Sequence, residues 1–96
     1  MTVQLSSKFD VYAIPLGGAE KSFTVSEAMK IQLSCRDGSD APTSFRLASV
    51  QGGTSNGQYL AMSAGVIVFE GDLRLTQTMY FASQANDATM ELMIWK

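Results

Sequence analysis

Phe23-Thr24-Val25-Ser26-Glu27-Ala28-Met29-Lys30-Ile31-Gln32-Leu33-Ser34-Cys35-Arg36 alternates apolar and polar side chains with a period of two. Phe23, Val25, Met29, Ile31, Leu33 and Cys35 fall on one face, and Ser22, Thr24, Ser26, Lys30, Gln32, Ser34 and Arg36 on the other. This is the pattern of half-buried extended chain. Residues 26–30 allow one helical turn on propensity alone. Parity decides for strand, with only Glu27 out of step, and a bulge or a break between two strands near Glu27 is expected.

The first part of the chain repeats the device. Val3, Leu5, Ser7, Phe9, Val11 and Ala13 occupy odd positions, against Thr2, Gln4, Ser6, Lys8 and Asp10 at even ones, so residues 3–14 read as a strand whose odd face is buried. Pro15 and the pair Gly17-Gly18 end it. Residues 37–42 form a loop by composition. Strands are expected at residues 44–50, 58–63, 66–70 and 73–83, with turns at Ala64-Gly65 and Gly71-Asp72 and a flexible connection at residues 52–57. In the last strand Ala88, Met90, Leu92 and Ile94 make the inward set. Pairing it with the preceding strand as a hairpin sets Phe81 opposite Met90 and Tyr80 opposite Glu91, which keeps one face uniformly apolar.

Strands with one oily face must lay it on another layer. The expected fold is therefore all-β, an antiparallel β-sandwich of jelly-roll type with seven or eight short strands, forming a single domain over residues 1–96. A chain of 96 residues has a small core, and domains of this size are commonly reinforced by disulfides, metals or self-association. An internal disulfide is ruled out because Cys35 is the single cysteine; on the apolar face it reads as a buried thiol rather than a reactive one.

Composition also narrows the function. The chain has no histidine, which removes the commonest general base and metal ligand and every Ser-His or Cys-His nucleophile. Asp37 and Asp40 sit among turn formers, where Asx turns are the expected role and a Ca²⁺ site lacks the denser ligand ladder. Glu70 and Asp72 flank Gly71 in the same manner. The glycine pairs precede no helix and carry no Lys-Ser/Thr ending, so they are not phosphate cradles. No catalytic residue, cofactor or metal ligand is assigned, and the chain is not expected to be an enzyme.

Seven basic residues against nine acidic ones give a net charge of −2, with the positive residues scattered, which argues against nucleic acid. No run reaches the ~18–20 apolar residues of a membrane span, and the first residues lack a secretory pattern, so a product made in the cytoplasm is expected. The residues singled out are those on the outward side of the last strands: Tyr80, Met93 and Trp95, taken as a protein contact surface. For Trp95 the alternative is packing at the end of the core.

Gly71-Asp72-Leu73-Arg74-Leu75, followed by Thr78-Met79-Tyr80-Phe81-Ala82-Ser83 and by Ala88-Thr89-Met90-Glu91-Leu92-Met93-Ile94-Trp95, resembles the ends of small virion structural proteins of tailed bacteriophages. Capsid decoration (cement) proteins fit best in size. The resemblance covers about the last third of the chain, and its motif is generic to β-hairpins. It implies copies, often trimers, that sit on the major capsid protein lattice of the virion and strengthen it by bridging capsomers. The end of the chain also resembles the terminal strand of chaperone–usher pilins, without their cysteine pair. The other readings are a small β-sandwich module that binds carbohydrate or a receptor, for which Tyr80, Trp95 and Tyr59 are the available aromatics, and a tail or head-fibre component.

Overall fold

A computed structural model describes residues 9–73 and 76–95. Its strands are β1 (Phe9–Pro15), β2 (Lys21–Val25), β3 (Ala28–Arg36), β4 (Phe45–Ala48), β5 (Leu60–Met62), β6 (Ile67–Leu73), β7 (Gln77–Ala82) and β8 (Thr89–Trp95), with a one-turn helix α1 (Gly53–Asn56) between β4 and β5. They form a pair of four-stranded antiparallel sheets, ordered β1-β8-β3-β6 and β2-β7-β4-β5. Successive strands alternate between the sheets except β4 and β5, which pair with each other in one sheet with β5 at its edge. This is the eight-stranded jelly roll, the expected fold class.

The long alternating stretch divides where the pattern faltered. Glu27 takes a left-handed φ of 53° between β2 and β3, which sends Val25 and Ile31 into the core from opposite sheets. A register shift between Ala28 and Lys30 absorbs one further residue as a bulge in the β3–β6 ladder. Ile31, Leu33 and Cys35 from β3, Met90, Leu92 and Ile94 from β8, and Val25, Phe45, Met79 and Phe81 from the facing sheet make one buried cluster closed by Leu16 and Ala88. Each fully buried large side chain contributes about 1.5–3 kcal/mol.

The expectations that fail do so because alternation fixes a face and not a neighbour. β7 and β8 are no hairpin: β7 pairs with β2 and β4, β8 with β1 and β3. Phe81 and Met90 both point inward, and they do so from facing layers. The buried face of β1 is also the reverse of that expected. Tyr12 stands opposite Leu92 and Ile14 opposite Met90, so the even positions face the core and Phe9, Val11 and Ala13 face outward. The part of this strand expected at residues 3–8 lies outside the described residues. Gly71-Asp72 is no turn, since β6 runs through it to Leu73, and the connection at residues 52–57 contains the helical turn α1.

Candidate functional site

The outer face of the β1-β8-β3-β6 sheet is built by strand registers that bring distant residues into rows. Phe9 pairs with Trp95, and Trp95 with Lys30; Val11 pairs with Met93, Met93 with Gln32, and Gln32 with Val68. The Phe9 and Trp95 rings tilt together at a centroid distance of 6.0 Å. Lys30 Nζ stands 4.7 Å from the Trp95 ring centroid on its other side, a cation–π contact. Val11 is 61% exposed, and Phe9 and Val68 are 43% exposed, while Trp95 and Met93 are half-buried. The opposite end of the face is charged. Arg36 Nε lies 3.3 Å from Glu91 Oε2, and its Nη1 donates to Asp40 Oδ1 at 2.6 Å.

The facing sheet is covered differently. Arg46, Ala48, Tyr80 and Ala82 lie on its outer side, and α1 packs over β4 and β7. Ala48 is buried although it lies outside the central core. Gly53 sits so close that an added Cβ would stand 2.8 Å from the Ala48 Cβ and 2.8 Å from the Gln58 carbonyl oxygen. Glu20 fastens the excursion: it accepts from the Gly52 N–H at 2.8 Å, the Thr54 N–H at 3.2 Å and the Thr54 hydroxyl at 2.6 Å. These bonds, led by that of the Thr54 hydroxyl, hold the carboxyl below its ordinary pKa. Arg46 donates to the Thr54 carbonyl at 3.0 Å and stacks 4.5 Å from the Tyr59 ring centroid. A shallow depression of about 200 Å³ lies between Glu20, Arg46, Thr54 and Ser83.

Met93 and Trp95 therefore share one surface, and Tyr80 belongs to the other sheet. A platform using Tyr80 and Trp95 together does not exist, and the third aromatic, Tyr59, is stacked by Arg46. Sequence reasoning missed Phe9 and Lys30 as neighbours of Trp95, and Val11 as a neighbour of Met93 with Val68 beyond Gln32 in the same row. The signal for Phe9 and Val11 was present in Tyr12 and Ile14, even-numbered apolar residues that serve equally well as a buried set. Asp37 acts as the turn former expected of it, accepting from the N–H of Ser39 at 2.8 Å and of Ala41 at 3.1 Å. Cys35 is buried, and burial pushes its thiol pKa up. Among the described residues no group of three or more Cys, Asp or Glu is placed to hold a metal ion, and no helix is long and apolar enough to cross a membrane.

No family model and no curated protein matches the chain. Solved structures do share the fold. The SPBc2 prophage-derived protein YomS superposes over 100% of both chains with a TM-score of 0.56 at 11% identity. A de novo designed double-stranded β-helix matches 93% of this chain and 99% of its own length, with a TM-score of 0.54 at 7% identity. ToxT from Vibrio cholerae strain SCE256 matches 100% of this chain with 32% of its own length, at a TM-score of 0.51 and 12% identity. At these identities the likeness is one of fold.

Proposed function

We propose that the chain is a non-enzymatic structural protein of a tailed-phage virion, a capsid decoration protein that docks on the major capsid protein by the outer face of the β1-β8-β3-β6 sheet. The observation that carries this reading is a patch on one sheet face made by two adjacent rows, Phe9 with Trp95 and Val11 with Met93, with Val68 beyond Gln32. Apolar and aromatic side chains in one patch, with charged groups at its margin, suit a protein contact. Support also comes from the full-length fold likeness to a prophage-derived protein. The work done is bridging: each docked copy buries modest area, and many copies on one lattice act multivalently. Copies of the chain associate with one another as well, in trimers if they follow the order the resemblance implies. The carboxylates serve structure in this reading: Glu20 and Asp37 are taken up by backbone N–H groups, and Asp40 by Arg36.

Cosedimentation tests it. Purified protein is mixed with purified heads of the phage whose genome encodes the chain, made without it, and the copies bound per head are counted. Saturable binding at a fixed number per head, weakened in Trp95→Ala and Met93→Ala variants that remain folded, is the expected result. Protein that stays in the supernatant, or a gene that lies in no phage head-gene cluster, overturns it.

A further inference from the structure

Among the described residues β1 is a seven-residue edge strand with a single charge, Asp10. Among the described residues β1 and β6 are the edges of one sheet, β2 and β5 of the other. Sheet edges in folded proteins are blunted by shortness or by charge. β5 has three residues and β2 five, and β6, as long as β1, has two charged residues, Glu70 and Asp72, in its sequence. β1 is seven residues long, Phe-Asp-Val-Tyr-Ala-Ile-Pro, with Asp10 as its one charge. Every residue in it is exposed except Ile14, which is half-buried.

Parity says which backbone groups that edge offers. The Leu16 N–H donates to the Ala88 carbonyl at 2.9 Å, in register with the regular β1–β8 ladder from Phe9 to Pro15. Backbone groups alternate in direction along a strand, so the even positions of β1 bond to β8 and those of Phe9, Val11 and Ala13 point away from the sheet. Pro15 belongs to the same outward set and has no N–H to offer. Among two-fold antiparallel pairings of β1 with itself, those centred on Tyr12 or Ala13 need the missing N–H of Pro15. Within Phe9–Pro15 the pairing centred on Val11 does not. It sets Phe9 against Ala13 and Val11 against Val11, each pair exchanging both N–H···O bonds, and puts Asp10 across from Tyr12 with no like charges opposed.

We infer that two copies of the chain join by their β1 edges about a two-fold axis at Val11, fusing their β1-β8-β3-β6 sheets into one continuous sheet. The contact is isologous and closes at a dimer, so it departs from the trimer implied by the phage resemblance. It also joins the Phe9–Trp95 rows of both copies into one wider surface. The inference stands independently of binding to a capsid.

Sedimentation equilibrium of the full chain, with far-UV circular dichroism to confirm folding, tests it. The wild-type chain is expected at twice the monomer mass. Val11→Pro removes an outward N–H and leaves the β8 ladder intact, so a folded monomer is expected. Val11→Lys and Val11→Glu each place like charges on the axis and are expected as monomers, while their equimolar mixture regains the dimer mass. A wild-type monomer, a wild-type trimer indifferent to substitution at Val11, or a Lys/Glu mixture that stays monomeric overturns the inference. Because the Lys and Glu variants sit on an exposed side chain, they carry the test even if Val11→Pro fails to fold. A monomer that still sediments with heads would sink the edge contact alone.

Discussion

Glu20 and Thr54, 34 residues apart in the chain, are joined by a 2.6 Å hydrogen bond from the threonine hydroxyl to the carboxylate, reinforced by the N–H groups of Gly52 and Thr54. This clamp keeps the α1 excursion folded over the β2-β7-β4-β5 sheet. Glu20→Gln is expected to lower stability by about 1 kcal/mol at neutral pH. The pKa of Glu20 is lower in the folded state than its ordinary 4.5, so its contribution is complete above that value and is lost as pH falls through the folded pKa. Urea unfolding of both proteins should therefore show a gap at pH 7 that closes on acidification below about 4.5. A gap that stays constant or widens in acid contradicts the clamp.

The same excursion depends on Gly53. Gly53→Ala brings a methyl group against the Ala48 methyl and the Gln58 carbonyl, and the carbonyl belongs to backbone that cannot move independently. A loss of about 1–3 kcal/mol is expected, read as a lower urea midpoint with little change in slope. An unchanged midpoint would mean that the loop is not seated on the sheet.

Leu92 and Trp95 separate core from surface on one strand. Leu92 is fully buried and Trp95 half-buried on the opposite side. Leu92→Ala should cost about 3 kcal/mol of folding stability. Trp95→Ala should cost about 1 kcal/mol of stability, through its Phe9 and Lys30 contacts, while weakening head binding by about 2 kcal/mol, roughly thirtyfold. Equal stability losses with unaltered binding would place Trp95 in the fold alone.

Cys35 should react with a thiol-specific reagent only on unfolding. It is 1% exposed and its pKa is raised chiefly by burial, so thiolate is scarce in the native state. Labelling kinetics in buffer and in denaturing urea give the comparison, and fast native labelling would refute it.

Much of the fold was legible in residues 21–36 and 88–95. Strict parity named Ile31, Leu33, Cys35, Met90, Leu92 and Ile94 as core, and the misfit at Glu27 marked the point where the chain crosses between sheets. For β1 parity failed, because an edge strand with Phe9, Val11 and Ala13 on one side and Tyr12 and Ile14 on the other presents two plausible apolar sets. Only the partner strand breaks that tie, through the Val11–Met93 and Tyr12–Leu92 pairings. The Tyr80–Glu91 pairing failed for a related reason: two strands with apolar sides can meet side by side or face to face, and either satisfies the pattern.

By itself the sequence determined that this chain makes half-buried antiparallel strands, stacked in layers around Leu33, Phe81, Met90 and Leu92, since a period of two admits no other use of those side chains. The tertiary structure alone decided which strands adjoin. It put Phe9 and Val11 beside Trp95 and Met93, sent Tyr80 to the opposite sheet, and left β1 at an edge. Adjacency is fixed by how the whole set of apolar faces closes on itself, and no single strand carries that information.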